Sequence, residues 1–102
     1  MEFEWDEIKN VENIKMHDGI SFEEAVSAFF DEWALDAFDD SHSNAKEQRL
    51  TLVGLAGERL LRVTYTIRND ETGKEVTRIV SARKAKGFEK NDYDETRNRL
   101  DI

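Results

Sequence analysis

An α+β fold, one twisted antiparallel sheet with helices packed on one side, is what this sequence predicts, and three observations carry the prediction. Three segments that alternate apolar and polar residues, Arg49 to Leu55, Leu60 to Arg68 and Lys74 to Arg83, follow one another through short turns, so they read as an antiparallel meander. Two stretches of helical periodicity precede the meander, and a polar helical stretch follows it. The length of 102 residues suits one domain, residues 1–102, built round one core. The expected order is a short N-terminal strand, two helices, the antiparallel β-meander and a C-terminal helix.

Glu2-Phe3-Glu4-Trp5 alternates and makes a short first strand with Phe3 and Trp5 facing inward. Asp6 is placed to cap a helix that runs from Glu7 to about His17, with Ile8, Val11 and Ile14 spaced on one side. Gly19 suits its end. Ser21-Phe22-Glu23-Glu24 forms a capping box. Behind it Phe22, Ala25, Val26, Phe29, Phe30 and Trp33 make a continuous helical stripe, expected to be the largest contribution to the core. Ala34 to Phe38 is a short strand, and residues 39–44 are a polar loop. In the meander, Leu61, Val63, Tyr65 and Ile67 take one face, and Arg62, Thr64, Thr66 and Arg68 take the other. Asn69 to Gly73 supplies a hairpin turn. The last helix, from Lys84 or Ala85 to about Arg99, has few apolar anchors, Phe88, Tyr93 and Leu100, so weak docking is expected.

Charge is divided along the chain. Residues 1–47 hold 14 acids and 3 bases, residues 48–102 hold 9 acids and 12 bases, and the whole chain carries −8. From Arg59 to Lys90, nine basic residues stand against four acids, a net +5. A basic sheet surface on an acidic body fits an anionic ligand on one face and a cationic partner on another. The plainer reading is a solvated charged surface with cross-strand ion pairs. The absence of cysteine rules out thiolate metal sites and disulfides. Two histidines 25 positions apart leave only Asp39-Asp40-x-His42 as a metal candidate, and no phosphate-cradling glycine loop or nucleophile elbow is present. No cofactor is expected. No apolar run approaches about 18 residues and no leader is visible, so the expectation is a soluble cytoplasmic protein without a membrane partner.

Arginines interleaved with hydroxyls and aromatic rings suit RNA, whose phosphates set affinity and whose bases stack. Cleaving RNA without a metal needs a group to take the 2′-hydroxyl proton, donors to stabilise the phosphorane and a proton for the departing 5′ oxygen. Arginines suit the middle task. Glu47, His17, His42, Lys84 and Tyr93 are candidates for the others.

The order of motifs resembles a known family. Phe3-Glu4-Trp5-Asp6, Lys9-Asn10, Asn13-Ile14-Lys15-x-His17 and Ser21-Phe22-Glu23-Glu24-Ala25 are similar to the opening of BrnT-type toxins. Glu47-x-Arg49 with Gly54, and Tyr65-Thr66-x-Arg68, are similar to the middle. Arg78-Ile79-Val80-Ser81-Ala82-Arg83-Lys84-Ala85, followed by Glu89 and Tyr93, looks like the ending, although Lys86-Gly87-Phe88 stands where the family tends to be arginine-rich. The resemblance spans residues 3 to about 93. It implies a RelE-like, BrnT-like fold and a metal-independent endoribonuclease toxin of a type II toxin–antitoxin system that stops translation. It also implies an RNA substrate and a ribbon-helix-helix antitoxin of the BrnA type, through which alone the complex meets operator DNA. At the matched motif positions, side-chain chemistry suits Arg49, Arg68, Arg83 and Lys84 to the phosphate side and Glu47 and Tyr93 to acid or base work. Arg59, Arg62, Arg78 and Lys86 join them as substrate-binding candidates. The alternative is a non-catalytic module, a degenerate toxin that uses its acidic face and basic sheet for partner contacts.

Overall fold

The computed structural model describes residues 1–39, 43–44 and 47–100. In chain order the elements are β1 (Glu2–Glu4), α1 (Glu7–Met16), α2 (Phe22–Ala28), β2 (Leu35–Phe38), β3 (Gln48–Ala56), β4 (Arg59–Asn69), β5 (Glu75–Lys84) and α3 (Gly87–Leu100). One five-stranded sheet runs β1-β5-β4-β3-β2. The meander is antiparallel throughout, and β1 joins its far edge parallel to β5, which makes the sheet mixed. Among the described residues no helix is long and apolar enough to cross a membrane.

Both N-caps form, but the capping box is only half made, since the Glu24 carboxylate binds Arg59. Asp6 accepts the amides of Ile8 at 2.8 Å and Lys9 at 3.4 Å, and Ser21 accepts the amide of Glu24 at 3.0 Å. Helix α2 lays Phe22, Ala25 and Ala28 on Leu52, Leu61, Val63, Tyr65, Ile79 and Ala82 of the sheet. The approach is closest at Gly54, where a Cβ would stand 2.6 Å from the carbonyl oxygen of Ala28, so any side chain would push α2 off β3.

Helix α2 is shorter than its apolar stripe. Phe29, Phe30 and Asp31 donate backwards to the carbonyls of Val26, Ser27 and Ala28, a tight final turn. Asp31 then fixes the exit, its carboxylate accepting the amides of Trp33 at 3.0 Å and Leu55 at 2.8 Å. Phe30 is thereby turned out to solvent, while Trp33 is half-buried.

Helix α1 reverses the expectation its periodicity raises. Ile8, Val11 and Ile14 are 72%, 46% and 38% exposed, and the buried face carries Asn10 and Asn13. Asn10 accepts the Phe22 amide at 2.8 Å and donates to the Glu7 carboxylate at 2.9 Å, and Asn13 is spent on backbone, holding Ile20 and both polar groups of Ala82.

A β-bulge decides which way the last strand's arginines point. Thr64 faces Ser81, but Tyr65 faces Ile79, so Val80 is the extra residue. The bulge lets Ile79 and Ala82, of opposite parity, both reach the core. It also brings Arg78, Ser81 and Arg83 to the outer face, beside Thr66, Thr64 and Arg62. The third helix lies on this outer face, opposite α1 and α2, rather than sharing their side.

Candidate functional site

The outer face of the sheet gathers arginines from three neighbouring strands. Arg62 of β4 stands directly across from Arg83 of β5, and Arg49 of β3 stands across from Thr66 of β4. Facing residues of an antiparallel pair share one side of the sheet, so these side chains crowd together with Thr64 and Ser81. Arg62 donates to the Thr64 hydroxyl at 3.2 Å.

Glu89 closes the cluster from α3. Its carboxylate takes both arms of the Arg83 guanidinium, at 2.8 and 2.9 Å, and lies 3.7 Å from Arg62 Nε. It also accepts the Lys86 amide at 2.8 Å, the backward contact of a third-position glutamate at a helix start. The Arg62 guanidinium is held below its ordinary value, first by burial and then by Arg83; Glu89 and Asp39 work the other way, and Arg49 adds to the lowering. Two buried polar atoms beside this cluster, Arg49 Nε and Thr66 Oγ1, have no hydrogen-bond partner. Arg49 Nε lies 3.8 Å from the Asp39 carboxylate. Forked donors and an unsatisfied hydroxyl on a half-buried surface can hold an oxyanion with two or three negative oxygens.

Burial works to raise the Glu89 pKa, but the Arg83 fork, the Lys86 amide and Arg62 outweigh it and hold the carboxyl below its ordinary 4.5. A group depressed by folding contributes stability above its unfolded pKa and loses it as pH falls through the folded one. Acid is therefore expected to unseat α3 by protonating Glu89. Melting temperatures taken from neutral pH down to about pH 3 should fall less steeply for Glu89→Gln than for wild type. Parallel slopes would remove Glu89 from the acid response.

The other sequence candidates are spread over the molecule. Arg68 and Arg78 are on the same face at its far end, where both are bonded to Glu4, Arg78 at 3.2 Å; they tie β1, β5 and β4 together. Arg59 is on the helix side, held by Glu24 and by the Asp18 carbonyl at 3.0 Å. Lys84 pairs in register with Leu61 and so takes the helix side, exposed. Lys86 is exposed at the start of α3, and Glu47 is exposed before β3, where its backbone pairs with Asn44. Tyr93 is buried, and its hydroxyl donates to Asp31 at 2.6 Å. Burial, reinforced by Asp31, pushes that phenol up to about 12. His17 caps α1, and His42 lies outside the described residues, as does all but Asp39 of the candidate metal loop.

The structure thus brings together Arg49, Arg62 and Arg83 and adds Glu89, which sequence reasoning quoted as part of a motif but gave no role. The available signal was its position, third in a helix that starts four residues after Arg83. Phe88, an expected anchor of α3, is 64% exposed. Tyr93 and Glu89 do the anchoring.

Residues 5–89 match the family model described as ribonuclease toxin, BrnT, of type II toxin-antitoxin system. That span takes in every arginine of the cluster and ends on Glu89. No curated protein matches the chain.

Proposed function

The chain belongs to the BrnT family of ribonuclease toxins of type II toxin–antitoxin systems, and on that premise we propose that it cuts RNA on the arginine face of its sheet. Cutting RNA would stop translation, and the antitoxin that membership implies is of the ribbon-helix-helix, BrnA type. That antitoxin neutralises the toxin and carries the pair to operator DNA. The observation that supports the reading best is the convergence of Arg62 and Arg83 from neighbouring strands on the Glu89 carboxylate, with Arg49 on the same face beside Asp39.

In the proposed reaction the scissile phosphate takes the guanidinium donors that Glu89 now occupies. The carboxylate, stripped of its cationic partners, becomes more basic and accepts the 2′-hydroxyl proton. The 2′ oxygen bonds to phosphorus, the bond from phosphorus to the 5′ oxygen breaks, and the arginines stabilise the extra negative charge between those events. Glu47 and Tyr93 remain the candidates for protonating the departing oxygen. Glu47 is exposed, whereas Tyr93 holds its proton at neutral pH and positions α3 through Asp31. Arg68 and Arg78 support the face by fastening Glu4, Lys86 is a longer-range cation for flanking phosphates, and Lys84 and Arg59, on the helix side of the sheet, add only to the overall field.

The products test the chemistry. Purified protein with RNA in a chelator should yield fragments ending in a 2′,3′-cyclic phosphate and beginning with a 5′-hydroxyl, and a 2′-deoxy substitution at the cut site should block the cut. A 3′-hydroxyl product would exclude attack by the neighbouring 2′ oxygen. RNA left intact by folded protein would favour the non-catalytic, partner-binding reading.

A further inference from the structure

Beside the arginines, a groove of about 510 Å³ runs between α3 and the β2–β3 side of the sheet, a size typical of small-ligand sites. Leu35, Ala37 and Val53 make its apolar wall, and Arg62 and Arg83 close one end. Phe88 and Asp92 line it from α3, four positions apart and so on one face of the helix. Two features are unexplained by folding. Phe88 is a large aromatic ring left 64% exposed next to a cationic cluster. Asp92 is exposed and makes no hydrogen bond or ion pair among the described residues, although its neighbours on α3 are paired, Lys90 with Asp94 and Arg99 with Glu95. Asp36 also borders the groove, but its register partner Leu52 puts it on the helix side of the sheet.

We propose that this groove is a base-recognition subsite for guanine in single-stranded RNA, with Phe88 as the stacking platform and Asp92 as the group that reads the base. The proposal rests on the ribonuclease reading for the phosphate that Arg62 and Arg83 hold. An exposed ring beside phosphate-binding arginines is how single strands are gripped, since every base has a face to stack. The carboxylate supplies the choice. An ionised carboxylate only accepts, and it binds best when two donors lie side by side. Guanine alone presents that pair, N1–H beside the 2-amino group. Adenine and cytosine offer one amino group next to an acceptor that a carboxylate repels, and uracil offers one N–H between two carbonyls. Asp92 therefore selects guanine and rejects the other three.

The test is binding of 2′-O-methyl hexauridylates carrying one central guanosine, adenosine, cytidine or inosine, which the enzyme cannot cut by attack of a 2′ oxygen. Wild-type protein should bind the guanosine probe about tenfold more tightly than the others. Inosine, which lacks the 2-amino group, should fall with adenosine. Asp92→Asn should erase the guanosine advantage. Phe88→Ala should weaken all four probes by about tenfold without changing their order, and Phe88→Trp should restore them. Both side chains are exposed, so these variants fold. Equal binding of guanosine and adenosine, an advantage that survives Asp92→Asn, or no binding of any probe would overturn the subsite. Cutting of unmodified RNA is scored separately: intact RNA together with guanosine-selective binding overturns the ribonuclease reading and leaves the subsite standing.

Discussion

Arg83→Ala is expected to lower RNA cleavage by about 10²–10³-fold, the usual cost of removing one donor aimed at a developing oxyanion. Expression of the wild-type chain in a heterologous cell should arrest growth and degrade RNA, and the variant should do neither. The expectation is large because, among the arginines of the cluster, Arg83 grips a carboxylate with both arms, at 2.8 and 2.9 Å, the geometry a phosphate would take over. Arg68→Ala is the contrast. That side chain holds Glu4 at the far end of the face, so its loss should weaken β1 pairing and leave cleavage within about tenfold of wild type. Removing Arg83 also leaves Glu89 with Arg62 at 3.7 Å as its nearest cation, so each variant needs a melting curve. A folded Arg83→Ala protein that still arrests growth and degrades RNA would sink the proposed site. A folded wild type that does neither would sink the activity itself.

The parts of this fold that rest on local chemistry were legible in the residues. Alternation marked β3, β4 and β5, the Ser21 and Asp6 caps marked where α1 and α2 begin, and the turn at residues 69–73 marked the hairpin. The parts that rest on long-range competition were not. A period of two, read along β5, cannot reveal that Val80 is an extra residue, yet that bulge is what sets Arg83 beside Arg62. Helical periodicity in α1 points to Ile8, Val11 and Ile14, and cannot weigh them against two asparagines that satisfy buried backbone 7 to 69 residues away. The basic surface was visible as a count of charges. Its division into a cluster at Arg49, Arg62 and Arg83 and a clamp at Arg68 and Arg78 depends on where Glu89 and Glu4 fall, and no spacing in the sequence fixes that.

Asn13→Ala is expected to destabilise the protein by roughly 3–5 kcal/mol, since an unsatisfied buried polar group costs about 1–3 kcal/mol and three would be left. The strand β1 leaves β5 at Arg78. Beyond that point Ala82 is wholly buried, with no strand among the described residues beside it on that edge. The Asn13 side chain stands in for the missing strand. Its Nδ2 donates to the Ala82 carbonyl at 2.8 Å, its Oδ1 accepts the Ala82 amide at 3.1 Å, and Nδ2 also donates to the Ile20 carbonyl at 2.9 Å. One amide thereby joins α1, the turn into α2 and the strand that carries Arg83. For a domain of this size the loss should lower the melting temperature on the order of 20 °C. Asn13→Asp should not rescue it, because it removes the donor and buries a charge. Ile8→Ala, on the exposed side of the same helix, should change stability by less than about 0.5 kcal/mol. The pair inverts the ordinary ranking of apolar over polar residues within one helix. A melting temperature for Asn13→Ala within a few degrees of wild type, or a larger loss from Ile8→Ala, would mean that α1 is held to the sheet by contacts other than its asparagines.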